Sequence, residues 1–258
     1  MMKTLKILLA LGVSAYLALL GVIYHEQSRL EFFPSHQDTE SLGANAGLVR
    51  WVISGTNGAA DTYIGMKHEV ADSQRVWLFA HGNGGQAAGR KYAMRYFGER
   101  DSVYVVEYPG YGDRPGEPGQ STINSAVESA YRILEKQYGS QKICVLGESL
   151  GSGPASYLGS IERPPRRIVL VVPFDRIASV AQERFPFIPA ALLMRDQWDN
   201  AQTLLHYPGR LDIWGAGSDE TIPVSHARNL ARLLKQAVYH EFAGGHGWAG
   251  ANAVSLAE

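Results

Sequence analysis

Residues 5–23 are almost continuously apolar, interrupted only by Lys6, Gly12, Ser14, Gly21 and a tyrosine. At about 1.5 Å per residue, a helix over this stretch just crosses a hydrocarbon layer about 30 Å thick, so a transmembrane anchor over 1–24 is expected. The pattern then turns polar: 25–47, broken by Pro34 and Gly43, reads as a linker or stalk, or as a segment laid over the domain that follows. From residue 48 onward, short apolar runs alternate with helix-like segments. Strands are predicted over 48–54, 62–70, 75–80, 103–107, 141–146, 168–172, 211–214 and 238–242, with turn chemistry at Thr56-Asn57-Gly58 between the first two. Helices are predicted over 86–97 and 224–236. Another contains Ile123, Ala126, Val127, Ala130, Tyr131 and Leu134 at helical spacing, with Gly139 as its stop. Between them, 108–119 is a proline- and glycine-rich loop.

Apolar strands separated by helices imply an α/β domain over 48–258, with a mostly parallel sheet covered on both faces. In such a sheet reactive groups collect at the carboxyl ends of the strands. One stretch breaks the alternation. Residues 174–207, broken by Pro186 and Pro189 and carrying Phe185, Phe187, Leu192, Leu193, Met194 and Trp198, read as a small helical cap over those strand ends, or in the first half as an ordinary crossover.

Composition narrows the picture in three ways. The net formal charge of -1, with both signs interspersed, gives no footprint for nucleic acid. The single cysteine, Cys144, excludes an intrachain disulfide and lies inside a predicted central strand, where a structural thiol is expected. Lys3 and Lys6 precede or begin the apolar run, whereas Arg29 follows Glu26 beyond it, a bias that puts the amino terminus in the cytoplasm and the domain on the other side. A cleaved secretory signal is the alternative, although no A-x-A site stands near the end of the run.

Chemistry enters at Gly147-Glu148-Ser149-Leu150-Gly151, a G-x-S-x-G sequence between the 141–146 strand and a small-residue helix start. There a serine sits on a tight turn, and side chains at 147 and 151 would obstruct the approach of strand to helix. A serine needs a base, and the base an orienting acid. Asp219 follows the 211–214 strand in a Gly-Ser-Asp-Glu loop, ahead of Glu220 and Asp175 as the candidate acid. His246, among glycines after the last strand, is the candidate base, with His81 shaping its own loop and His240 inside a strand. Developing negative charge would meet the backbone N–H of Leu150 and, from the loop after 75–80, that of Asn83 in preference to Gly84. Tyr108, Tyr111, Glu148 and Phe174 are candidate pocket residues; rigid loop packing serves the tyrosines equally well, and a local salt bridge serves Glu148.

The segments F-A-H-G-N-G-G (79–85), E-Y-P-G-Y-G (107–112), G-E-S-L-G-S-G-P-A (147–155), G-S-D-E-T-I-P (217–223) and G-G-H-G-W (244–248) together resemble the α/β-hydrolase fold superfamily, in particular its membrane-anchored, serine-peptidase-like α/β-hydrolase-domain members. The resemblance spans roughly residue 48 to the end. It implies Ser149 as nucleophile, Asp219 as acid, His246 as base, and the Asn83 and Leu150 N–H groups as an oxyanion hole. The cap is shorter than in many relatives that act on long lipids. The implied function is a serine hydrolase, foremost a carboxylesterase on small or lipid-like acyl esters near a membrane, with no cofactor and no metal needed. Peptidase, amidase or acyltransferase activity is the alternative, and a silent anchored binding module the alternative of another class. The implied partners are an acyl substrate and the membrane, not nucleic acid.

Overall fold

The computed structural model describes residues 2–55, 60–248 and 256, so the turn expected at Thr56-Asn57-Gly58 lies outside the described residues. Helix α1, Met2–Glu31, carries the apolar run and continues through the first part of the expected linker. The extension has a cause in packing. Gln27 is 7% exposed and bonds residues of the cap, and Phe32, the next residue after the helix, is buried in the main core. The chain then pairs through Pro34 with Gly85 and enters α2, Thr39–Ala46. Asp38 caps α2 by accepting from the Glu40 and Ser41 N–H groups, and Gly47 closes it in the left-handed conformation at φ 68°. Residues 25–47 are therefore a helix end and a strap laid over the domain.

The strands are β1, Val49–Ile53; β2, Thr62–His68; β3, Arg75–Ala80; and β4, Asp101–Val106, followed by helix α3, Gln120–Tyr138. Next come β5, Ile143–Glu148; α4, Ser152–Leu158; and β6, Arg167–Val171. The cap supplies α5, Ile177–Arg184; α6, Ala190–Leu193; and α7, Asn200–Thr203. The chain returns through β7, Arg210–Ala216; α8, Val224–Leu233; and β8, Val238–Phe242. All eight strands form one sheet in the order β1-β2-β4-β3-β5-β6-β7-β8. The β1–β2 and β2–β4 pairs are antiparallel and the rest parallel.

Alternation along β3 shows how the sheet divides the interior. Val76, Leu78 and Ala80 join the core formed with α3, α4, α7 and α8, whereas Trp77 and Phe79 join the opposite core with Ala87, Ala93, Tyr96 and Trp248. All six predicted face residues of α3 are buried. The segment expected as a helix over 86–97 instead makes two 3-10 turns, Ala87–Gly89 and Lys91–Tyr96. Between them Arg90, 7% exposed, is held by the carbonyls of Gly82 and Gly84, and that tether competes with regular winding.

Candidate active site

Ser149 follows the last residue of β5 and has φ 52°, a left-handed conformation that non-glycine residues adopt at a cost of about 1–2 kcal/mol. The flanking glycines permit the turn. A Cβ on Gly147 would lie 2.6 Å from the Ala155 Cβ, and one on Gly151 would collide with the Ala80 carbonyl of β3. Gly153 leaves the same kind of room for Trp198 of the cap.

Ser149 Oγ lies 2.8 Å from His246 Nε2, and His246 Nδ1 lies 2.8 Å from Asp219 Oδ2. These three side chains come from the loops after β5, β8 and β7. Asp219 keeps its other oxygen on the N–H groups of Thr221 and Ile222, at 2.8 and 2.9 Å, so the carboxylate is held in one orientation. Ser149 is 8% exposed, while the His246 side chain is more open. The chain of contacts is one in which a histidine can take the serine proton and the carboxylate can stabilise the resulting imidazolium. Asp175 is engaged elsewhere: Oδ1 is 2.7 Å from His226 Nδ1, and Asn229 bonds Oδ2. Glu220 lies beside the site, on the wall of a neighbouring cavity.

The Leu150 N–H stands in the first turn after the strand, where helical winding leaves donors without internal acceptors. Asn83 lies in the loop after β3, and its side chain has a use that the sequence did not signal. Oδ1 accepts from Tyr111 Oη at 2.7 Å and from the Phe33 N–H at 3.0 Å, while Nδ2 donates to the Glu31 carbonyl at 2.5 Å. The end of α1 is thus bonded to the loop beside Ser149.

The four candidate pocket residues take other positions. Tyr108, Tyr111 and Phe174 are 0% exposed within the core, and Tyr108 Oη donates to the His81 carbonyl at 2.7 Å. The two tyrosines brace the β3 loop. His81, stacked on Tyr108 at 4.2 Å, is also 0% exposed, and burial holds its pKa below the ordinary histidine value. Glu148 is 6% exposed and accepts from Tyr92 Oη at 2.5 Å, from Trp248 Nε1 at 2.6 Å and from the Gly82 N–H at 3.2 Å. None of the four lines the cavity beside the site. Cys144 is buried and its thiol is pushed up to about 11.

That cavity, about 390 Å³, runs between α1 and the cap. Ile23 and Leu30 form one wall, Val180 and Leu193 the other, and it ends at Glu220 and Thr221, which follow Asp219 in the chain; Ser149 and His246 are not among its lining residues. Sequence reasoning did not give the cavity its second wall, because nothing in the apolar run says that its helix extends to Glu31.

No protein-family model matches the chain. An uncharacterized protein of Mycobacterium tuberculosis, Rv2307c, is 29% identical over 242 residues, which cover 88% of this chain and 84% of that one. The zebrafish (Danio rerio) lysophosphatidylserine lipase ABHD12 is 30% identical over 124 residues, 45% of this chain and 32% of that protein. Among solved structures, an α/β hydrolase from Vibrio vulnificus superposes with TM-score 0.63 at 18% identity, covering 82% of this chain and 81% of its own. Sheet order, the turn at Ser149 and these likenesses lead to one assignment: the chain has the α/β-hydrolase fold.

Proposed function

We propose that the protein is a serine hydrolase that cleaves carboxylic esters through an acyl-enzyme. The observation that carries this reading is the pair of 2.8 Å contacts from Ser149 to His246 and from His246 to Asp219. His246 Nε2 takes the Ser149 proton as Oγ attacks the ester carbonyl, and the backbone N–H groups of Leu150 and Asn83 receive the oxyanion. The protonated His246 then gives its proton to the departing alkoxide. Water enters, loses a proton to the same nitrogen, attacks the acyl-enzyme and releases the carboxylic acid with Ser149 restored.

An ester with an apolar acyl group is the favoured substrate because the cavity beside the site is apolar on both walls, as an acyl chain requires. The lipase title of the ABHD12 relative, although matched over only part of that protein, supports the same choice. In this reading α1 anchors the chain in a membrane, and Lys3 and Lys6 keep its start on the cytoplasmic side with the hydrolase domain opposite.

The test is a fluorophosphonate probe on the folded full chain, followed by acyl esters of increasing chain length. Labelling is expected for the native protein and absent from Ser149→Ala, with ester hydrolysis lost in parallel. A folded native chain that takes no label would instead favour a non-catalytic binding role. Labelling combined with cleavage of peptide amides but of no ester would overturn the choice of substrate.

A further inference from the structure

The outer rim of the cap carries no charge from Phe185 to Met194, and Arg184 and Arg195 flank that stretch. Its tip is the most exposed apolar part of the domain: Phe185 is 59% exposed, and Phe187 and Leu192 are each 85% exposed. A patch of this kind on a domain surface implies a partner.

Several contacts fix α1 against this cap. Tyr16 Oη donates to the Phe187 carbonyl at 2.6 Å. Gln27 donates to the Leu193 carbonyl at 3.2 Å and accepts from the Arg195 N–H at 2.7 Å. The Arg195 guanidinium lies 5.4 Å from the centre of the Tyr24 ring. A tyrosine and an arginine together mark the level at which an apolar helix leaves hydrocarbon for the polar interface. Tyr16 lies about 12 Å further along α1 toward the middle of the apolar run, at about 1.5 Å rise per residue. The contact with Phe187 brings the cap tip to that depth.

The carbonyls of residues 185–189 at the tip all have donors within the protein. In hydrocarbon every carbonyl needs an internal donor, whereas a loop in water does not. Here the Phe185 carbonyl accepts from the Ile188 N–H, that of Pro186 from Gln182 Nε2, and that of Phe187 from Tyr16. The Ile188 carbonyl accepts from the Ala190 N–H, and that of Pro189 from the Leu192 and Leu193 N–H groups. Pro186 and Pro189 have no N–H to satisfy.

We propose that the cap tip around Phe187 and Leu192 is a second membrane contact, immersed in the acyl-chain layer of the leaflet that α1 enters from the domain side. The cavity between α1 and the cap then opens toward lipid, and an acyl chain reaches Thr221 from within the leaflet. This last consequence rests on the proposed ester hydrolysis, whereas the immersion does not.

The full chain in phosphatidylcholine vesicles tests it. Phe187→Cys and Leu192→Cys are labelled with an environment-sensitive fluorophore; buried Cys144 leaves the parent chain as an unlabelled control, and Lys136→Cys marks the opposite end of the sheet. Loss of emission to nitroxides on the lipid acyl chains, without loss to aqueous iodide, is expected at 187 and 192, and the reverse at 136. Iodide quenching at the tip, or protection that persists in detergent because two copies pair, would overturn the immersion. Phe187→Ser with Leu192→Ser is expected to lower hydrolysis of a long-chain ester held in the vesicles by about tenfold, which corresponds to about 1.4 kcal/mol of lost burial. Hydrolysis of a short soluble ester stays unchanged, and equal loss on both esters would sink the leaflet route. If neither ester is cleaved by the parent chain, the hydrolase reading fails while the quenching result stands by itself.

Discussion

Glu148 illustrates how one side chain can organise the site without touching substrate. A buried carboxylate is costly unless donors surround it. The donors here come from three separate segments: Gly82 after β3, Tyr92 in the second 3-10 turn, and Trp248 two residues beyond His246. Burial and the neighbouring carboxylate push the Tyr92 pKa up, so it stays a donor. Trp248 also stacks on Tyr96 at 4.6 Å, and Tyr96 Oη donates to its carbonyl at 2.9 Å. The His246 loop is therefore pinned from behind. Trp248→Phe keeps an aromatic ring and removes the donor; it is expected to lower kcat for a soluble ester about ten- to a hundredfold with KM nearly constant, because the proposed base His246 is displaced but substrate binding is not. Full-chain steady-state kinetics checks this. The motif G-G-H-G-W put this tryptophan in view, but its partner lies 100 positions away in the sequence. Long-range side-chain pairing of that kind leaves no periodic trace.

Helix α8 is held at its buried face by a pair the sequence did not join. His226 is 3% exposed and faces Asp175 at 2.7 Å on one nitrogen and Glu183 at 3.4 Å on the other. Burial pulls the His226 pKa down, but the two carboxylates outweigh it and the net displacement is upward. Burial likewise raises Asp175, and hydrogen bonds from His226, Asn229 and the Arg176 N–H bring it below its ordinary value. The histidine contribution is complete below its unfolded pKa of about 6.5 and fades as pH rises through the raised folded value; the aspartate contribution is complete above about 3.9 and fades as pH falls through the depressed one. His226→Gln is therefore expected to cost about 1–3 kcal/mol near pH 5.5 and less at pH 8, read from urea midpoints at the two pH values. At this scale the strands were the legible part. The bounds of β3 match the apolar run at 75–80, because uninterrupted burial writes itself into composition, whereas β8 keeps the bounds 238–242 with only Phe242 buried. The 86–97 segment was not legible, since a tether at Arg90 overrides a helical pattern.

At the scale of the whole molecule, a mostly parallel sheet with its loops gathered at one edge was implied by alternation, but neither the order of its strands nor the union of α1 with the cap was. That union depends on Tyr16 and Gln27, while Asn83 ties the end of α1 to the loop after β3, and single polar side chains of this kind leave no periodic signal. Ser149 shows what the assembled fold carries for its chemistry. Its backbone sits where glycine is at home, at φ 52°, and the sheet on one side and α4 on the other hold it there. Ser149→Ala keeps that conformation and its cost; Ser149→Gly releases it, and is expected to unfold at a higher urea concentration than Ser149→Ala, by about 1 kcal/mol in stability. Random substitution screened for thermal robustness alone would therefore reward loss of the proposed nucleophile, and selection for stability and selection for the proposed turnover pull this one position in opposite directions.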